Sequence, residues 1–179
     1  MFNTRTFRLR GKPMHIKEST DIVAIKAAPL TTDGRRGRKN AAGHRARTSL
    51  ESVAPGVLPQ EVRAFEDAGW RFVKPEEAVQ YGTGTVAAKV FVKPGGRLAL
   101  GTDRLTVKLK GTDDTKIAQT ILDRYGLRVL TALKFAPGLY QVGIDTSGTK
   151  DALDIADELM KSGVVEFAEP EFVEALGPR

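Results

Sequence analysis

The last third of the chain constrains the fold more than any other part, because strand and helix patterns alternate there in a fixed order. Between Leu105 and Val173 the order is strand, helix, strand, strand, helix, strand. The strand segments alternate apolar and polar residues, as at Leu105 to Leu109, whereas the helical segments repeat apolar residues at three- and four-residue spacing. This order predicts a split β-α-β-β-α-β unit.

Residues at the segment boundaries support the same division. Asp113 or Asp114 can cap the first helix, and Ser147 or Thr149 can open the second, because their side chains accept the free N–H groups of a first turn. The apolar stripes are Ile117, Ile121, Leu122 and Tyr125 in the first helix and Leu153, Ala156, Leu159 and Met160 in the second. The later strands are predicted at Arg128–Phe135, Leu139–Ile144 and Val164–Val173.

We therefore predict an α+β protein with a ferredoxin-like β-α-β-β-α-β sandwich at about residues 102–174. A related, β-rich N-terminal subdomain with one helix precedes it. Its strands are predicted at Thr4–Leu9, His15–Lys17, Ile22–Lys26, Trp70–Val73, Val86–Val92 and Arg97–Leu100, and its helix between Pro59 and Gly69. The segment Thr20–Lys26 lines up with Thr102–Lys108, which suggests that the front is a diverged copy of the back. The predicted domains are 1–100, with a basic loop at 31–50, and 101–179, with a C-terminal tail.

The basic charge of the chain is concentrated in that loop. The net charge is +6, and the stretch from Thr31 to Arg47 holds six basic residues against Asp33, a local charge of +5. A folded surface that binds nucleic acid should itself be basic. The loop also lacks aromatic residues for stacking on bases. A solvated insertion is therefore favoured over a nucleic-acid contact.

Composition excludes several kinds of site. The chain has no cysteine, so disulfides and thiolate chemistry are excluded. The two histidines, His15 and His44, have no second ligand at metal-binding spacing, and we expect no metal and no cofactor. The five serines are outside Gly-x-Ser-x-Gly and Gly-Thr-Ser motifs, so we expect no catalytic residue and no enzyme activity from this chain alone.

No apolar run approaches the roughly 20 residues of a membrane span, so we expect no membrane partner. The segment Met1 to Lys17 lacks the apolar core of a signal peptide. A cytoplasmic location is favoured on this ground, and a secreted one would require that a leader has been removed.

The final strand is acidic and leads into a short tail. It contains the aromatic Phe167, followed by the acidic group Glu169-Pro170-Glu171 and by Phe172. The tail is Glu174, Ala175, Leu176, Gly177, Pro178 and Arg179. With the preceding β-α-β-β-α-β order, this ending resembles the N-terminal prodomain of a subtilisin-like serine protease. The Asp-Thr-Gly and His-Gly-Thr motifs of the protease domain itself are absent from this chain.

The resemblance implies a function and a set of contact residues. Prodomains of this family act as intramolecular chaperones and product-like inhibitors, and the protease domain would be the partner, in the same precursor or in trans. Phe167, Glu169, Glu171 and Phe172 match the positions that would bind the protease. The tail, Glu174 to Arg179, would lie in the active-site cleft. The sequence departs from the family pattern at Pro170, where a polar residue is usual, and at the Gly-Pro-Arg end, where a large apolar residue is usual.

Two alternatives stay open at the level of sequence. A nucleic-acid-binding module of the same fold would use the basic loop, but exposed aromatic pairs typical of RNA-binding sheets are missing. A small-molecule regulatory domain of ferredoxin-like fold has only the fold in its favour.

Overall fold

Eight strands form one antiparallel sheet in a computed structural model, which describes residues 2–9, 11–26, 56–81, 86–145 and 150–175. The strands are β1 (Phe2–Leu9), β2 (Lys12–Lys26), β3 (Trp70–Val73), β4 (Val86–Val92), β5 (Leu98–Leu109), β6 (Leu127–Ala132), β7 (Leu139–Ile144) and β8 (Val165–Glu174). The helices are α1 (Pro59–Asp67), α2 (Pro75–Ala78), α3 (Thr115–Asp123) and α4 (Ala152–Ser162), and a 3-10 turn covers Val79–Tyr81. The predicted α+β class is confirmed.

The strands are ordered β1-β2-β4-β5-β7-β6, with β3 added to β2 and β8 added to β5. We call β1 to β4, α1, α2 and the turn to Arg97 the front half, and α3, α4 and β6 to β8 the back half. The strand β5 belongs to both, since its first residues pair with β4 and its later residues pair with β7. The two halves are therefore joined through one continuous strand.

Both helices of the back half cover the same side of the sheet. Ala118 and Leu122 of α3 and Leu159 of α4 are fully buried there. They pack against core-facing residues of β5, β7 and β8, namely Leu105, Val107, Leu109, Tyr140, Val142, Val165 and Ala168. Burying these side chains is the main stabilising contribution of this half, at about 25 cal/mol per Å² of apolar surface.

The front half has a separate core beneath α1. Val62 and Phe65 of the helix pack with Trp70, with Leu98 of β5 and with other strand residues. Pro59 begins α1, and Gly69 follows it in a left-handed conformation (φ 88°) that a side chain would strain. The predicted helix is thus confirmed. A second helix, α2, was not predicted, so the expectation of one helix in this half was wrong.

Long strands replace pairs of short predicted ones. The strand β2 is 15 residues long and unites the segments predicted at His15 and Ile22. Likewise β5 runs for 12 residues through the Gly101 to Arg104 stretch, where its register with β8 shifts. Partner strands on both sides hold the backbone extended through positions whose local sequence favours a break.

Three local predictions were wrong in the back half. Asp151 caps α4 and forms a reciprocal capping box with Asp154. The cap predicted at Ser147 or Thr149 was therefore wrong, and both of those residues lie outside the described part of the chain. At the end of β6 the strand stops at Ala132, and Phe135 lies in the following turn with 81% of its surface exposed. Ile117, assigned to the apolar stripe of α3, is 53% exposed, and its neighbour Ala118 is buried instead.

The front half is not arranged like the back half. In the back half β7 lies between β5 and β6, whereas β3 pairs directly with β2 in the front half. The basic loop at 31–50 lies outside the described residues. No helix in the described part of the chain is both long and apolar enough to cross a membrane.

Candidate protein-binding surface

The side of the back-half sheet opposite its two helices carries a mixed polar and apolar surface, which we call the open face. Strand register places its residues together, since Thr106 is opposite Gln141 on β7 and Glu169 on β8. Two residues further along β5, Lys108 is opposite Leu139 on β7 and Phe167 on β8. The open face consists of Thr106, Lys108, Leu139, Gln141, Phe167, Glu169 and Glu171, all half-buried.

Glu171 is the central polar group of the open face. Its carboxylate accepts hydrogen bonds from Thr106 Oγ1 at 3.0 Å and from Gln141 Nε2 at 2.9 and 3.1 Å. Donors from two neighbouring strands therefore hold the side chain across the sheet. A carboxylate has about four acceptor positions, so a donor from a partner can still bind.

Phe167 and Glu169 lie on the same face, as the alternation of β8 requires. Phe167 is opposite Lys108, whose ammonium group donates to the carbonyl of Pro137 in the β6–β7 turn. The lysine stem thus lies along the sheet between two half-buried apolar side chains, Leu139 and Phe167. Three of the four predicted binding residues, Phe167, Glu169 and Glu171, are brought together by the structure.

Phe172, the fourth predicted residue, points to the other side of the sheet. Its ring centroid lies 5.5 Å from those of both Phe7 and Phe91. Lys93 Nζ lies 5.2 Å from the same ring. In this conformation Phe172 packs within the chain rather than on the open face.

The predicted tail begins later than expected, since Glu174 is still part of β8 and is paired with Ala99. Its carboxylate forms an ion pair with Lys93 and lies 3.7 Å from Nη2 of Arg97. Ala175 packs against the front-half core. The remaining tail residues, Leu176, Gly177, Pro178 and Arg179, lie outside the described residues.

Pro170 occupies a buried position in β8, opposite Leu105. Among the described strands β8 pairs with β5 alone, so it is an edge strand. Proline is tolerated in such a strand because its missing N–H group can face away from the ladder. A proline at this position is therefore compatible with the sheet.

A charge network that sequence reasoning missed joins the front half to the start of α4. Arg5 contacts Glu18 at 3.0 Å and Asp154 at 2.7 Å, and it lies 3.4 Å from Asp151. Lys89 contacts Glu18 at 2.8 Å and Asp151 at 2.6 Å. These five residues come from three strands and from the cap and first turn of α4. Apart from the capping box of Asp151 and Asp154, no local spacing in the sequence relates them.

The network shifts the pKa values of Asp151 and Lys89. Burial alone would raise the pKa of Asp151, but hydrogen bonds from Lys89 and from the backbone N–H of Asp154, together with the charges of Lys89 and Arg5, hold it below its usual value. Burial would lower the pKa of Lys89, yet its hydrogen bonds to Asp151 and Glu18 raise it. Asp151 and Lys89 are therefore both charged at neutral pH.

A cleft of ≈ 240 Å³ lies beside this network, between β4, β5, β8 and the start of α4. Its walls include Phe91, Leu153 and Phe172, and Lys89 and Asp151 line its edge. The cleft is smaller than typical ligand pockets of about 300–1,000 Å³. It lies on the side of the sheet away from the open face.

Sequence comparison relates the chain to proteases. It is similar to part of a calcium-dependent protease. The calcium-dependent protease of Nostoc sp. (strain PCC 7120 / SAG 25.82 / UTEX 2576) is 29% identical over 116 residues, which are 64% of this chain and 17% of that protein. The protein of the same name from Trichormus variabilis (strain ATCC 29413 / PCC 7937) is 28% identical over 116 residues, with the same coverage. No family model and no solved structure matches the chain.

The chain is therefore distantly related to protease sequences, and the similarity supports a protease-associated role. The matched region spans 17% of the length of these relatives, so catalysis and calcium dependence are properties of those proteins.

In the described part of this chain, the His15 ring pairs with Thr6 at 2.9 Å, and Ser162 donates to the carbonyl of Leu159 at 2.7 Å. Within the same ranges no group of three or more His, Cys, Asp or Glu side chains is placed to hold a metal ion.

Proposed function

We propose that this chain is the prodomain of a subtilisin-like serine protease and acts as its folding template and product-like inhibitor. The open face docks on the surface of the protease domain, and the peptide after β8 enters the substrate cleft. The observation that carries the proposal is a half-buried sheet face, centred on Glu171, on the same strand that leads into the C-terminal peptide.

The strand arrangement supports the finer fold assignment. The back-half strands are ordered β8-β5-β7-β6 and are antiparallel throughout, with α3 and α4 on one side. A ferredoxin-like sandwich has this strand order and this placement of its helices. The distant similarity to calcium-dependent proteases supports an association with a protease.

The chemistry of the open face suits a folded protein partner. Apolar side chains at one end, Leu139 and Phe167, can be buried against a partner, while Glu169 and Glu171 can accept hydrogen bonds. Carboxylates are stabilised at helix N-termini, where free N–H groups and the macrodipole favour negative charge. Two surface helices of the protease that present their N-termini to β8 would satisfy both requirements.

The proposed mechanism has two stages. Proteases of this class have parallel sheets with non-local contacts, which fold slowly. A prodomain that binds the native-like arrangement lowers that barrier. After cleavage, its C-terminal peptide stays in the cleft as an added strand and blocks substrate.

The test is inhibition of the cognate subtilisin-like protease domain by the purified chain. We expect inhibition at micromolar or lower concentration and an increased yield of active protease on refolding. Thr106→Arg, which places a long cation at the centre of the open face, should abolish inhibition. The matched control Thr120→Arg makes the same change on the exposed side of α3 and should leave inhibition unchanged.

Each alternative outcome has a definite meaning. A folded wild-type chain that does not inhibit at micromolar concentration overturns the proposal. Inhibition that survives Thr106→Arg would mean that the open face is not the docking surface.

A further inference from the structure

We infer that the front half of this chain is a clamp that fixes the end of β8 and so sets the direction in which the C-terminal peptide leaves the sheet. The clamp consists of Phe7, Phe91, Lys93 and Arg97. Its inhibitory consequence rests on the proposed function, whereas its effect on β8 is a property of the free chain.

The ring of Phe172 is held by two strands of the front half. Phe7 of β1 packs on it with a 53° angle between the rings, and Phe91 of β4 meets it edge-on at 81°. Aromatic pairs at such distances contribute about 0.5–1.5 kcal/mol beyond the burial of their surface. Phe172 therefore cannot turn toward the open face without losing both contacts.

Charged groups of the front half hold Glu174, the next residue of β8 on that side. Lys93 lies over the ring of Phe172 and also forms an ion pair with Glu174. Arg97 is a second cation near the same carboxylate. Lys93 is the better placed of the two, because its side chain is only 16% exposed, compared with 51% for Arg97. Partial burial makes such a pair less sensitive to salt than a surface pair.

The positions of the opposite alternation are Val173 and Ala175. Val173 is paired with Leu100, a residue of the core beneath α1, but Val173 itself is 38% exposed. Ala175 packs against that same core. Phe172 and Glu174 are thus held by the front half on one side of the sheet, and Ala175 is held on the other.

A clamp at this point has a consequence for inhibition. The ends of edge strands fray easily, and a loose peptide loses conformational entropy when it binds in a cleft. A peptide whose first residues are already fixed loses less conformational entropy on binding, so it binds more tightly. Lys93 is thus a positioning residue for the C-terminal peptide and does not itself touch the protease.

The first experiment measures amide hydrogen exchange of residues 172–175 in the free chain. Lys93→Met keeps the packing of the side-chain stem but removes the charge, and we expect exchange about tenfold faster, as loss of about 1.4 kcal/mol of local stability requires. Lys93→Arg keeps the cation and should behave like the wild type. The matched control Lys150→Met removes the lysine of the Lys150–Glu158 pair, which does not involve β8, and should leave this exchange unchanged.

The second experiment separates positioning from general stability. Inhibition constants are compared for wild type and Lys93→Met, each as the full chain and as a chain ending at Ala175. We expect Lys93→Met to raise the inhibition constant of the full chain about tenfold and that of the shortened chain less than about twofold. The clamp acts through the peptide that follows Ala175, and the shortened chain lacks this peptide.

The outcomes distinguish this inference from the proposed function. Unchanged exchange at 172–175 in Lys93→Met overturns the clamp. If Lys93→Met weakens inhibition equally in the full and the shortened chain, the positioning role of Lys93 is overturned, while the proposed function stands. If Lys93→Met speeds exchange but the wild-type chain does not inhibit, the clamp on β8 stands and the proposed function fails.

Discussion

At the residue scale, Glu171 shows how one side chain can serve both the sheet and a partner. Its carboxylate accepts hydrogen bonds from Thr106 and Gln141, so its orientation is set before any partner binds. Interactions that need no reordering on binding are favoured, because the entropy has already been lost on folding. A partner donor would therefore meet a fixed acceptor.

We predict that Glu171→Ala lowers the free energy of unfolding by about 1 kcal/mol, because two half-buried donors lose a charged acceptor and must turn to water. Urea denaturation measures this change. Glu166→Ala, at an exposed position of the same strand, should stay within about 0.5 kcal/mol of the wild type. Equal midpoints for the two variants would contradict the structural role assigned to Glu171.

At the element scale, the start of α4 is the point at which the two halves meet electrostatically. Asp151 caps the helix, and it also faces Arg5 of β1 and Lys89 of β4, with Glu18 and Asp154 beside the same cations. The cap is a local feature of the helix. The ion pairs depend on β1, β2 and β4 being in place.

We predict that Asp151→Asn destabilises the protein by about 1 kcal/mol at pH 7, since partly exposed ion pairs contribute little more than this and asparagine caps as well as aspartate. Because the pKa of Asp151 is lower in the folded than in the unfolded chain, its stabilisation is complete above the unfolded pKa of about 3.9. This stabilisation is lost as the pH falls through the folded pKa. The difference between variant and wild type should therefore shrink below about pH 4.

Unfolding by urea between pH 2 and pH 8 measures this dependence. Asp114→Asn is a suitable control, because Asp114 caps α3 through the N–H groups of Lys116 and Ile117. We expect Asp114→Asn to change the free energy of unfolding at pH 7 less than Asp151→Asn does. A constant difference between Asp151→Asn and wild type across the whole pH range would rule out the ion-pair explanation.

At the scale of the whole molecule, β5 connects two hydrophobic cores. Leu98 and Leu100 belong to the front-half core, and Leu105, Val107 and Leu109 belong to the back-half core. The predicted boundary between domains 1–100 and 101–179 falls within this strand, at the shift in register with β8. A strand shared by two cores favours cooperative unfolding.

We predict a single unfolding transition for the two halves. Trp70 is the one tryptophan of the chain and lies in the front-half core, so its fluorescence reports on that half. Leu122→Ala, at a fully buried position of α3, should cost about 2–5 kcal/mol and shift the Trp70 transition together with far-UV circular dichroism. A Trp70 transition that stays at its wild-type position would show that the two predicted domains unfold independently.

The sequence predicted those elements whose signals are local. Pro59 and Gly69 bounded α1, and the apolar alternation of Leu139 to Ile144 matched β7. Of the two aspartates that could cap α3, Asp114 does so. The predictions of the cap of α4 and of the end of β6 were wrong. Several neighbouring residues could fill each role, and only packing selects among them.

Within the candidate site, alternation along β8 was sufficient to group Phe167, Glu169 and Glu171 on one face. The same alternation places Phe172 on the other face. Its assignment as a binding residue came from the resemblance alone, and nothing near it in the sequence indicates Phe7 or Phe91 as neighbours. The contacts of Glu174 with Lys93 and Arg97 were missed for the same reason.

By itself, the sequence determined the order of strands and helices, most of the core-facing positions and the acidic character of the last strand. These properties depend on residue spacing and on backbone preferences within a few positions. The tertiary structure alone decided that β5 would be one strand shared by two cores, that Arg5 and Lys89 would meet Asp151, and that the front half would hold the end of β8. Such contacts join residues far apart in the chain, and their free energy appears only when the whole sheet has formed.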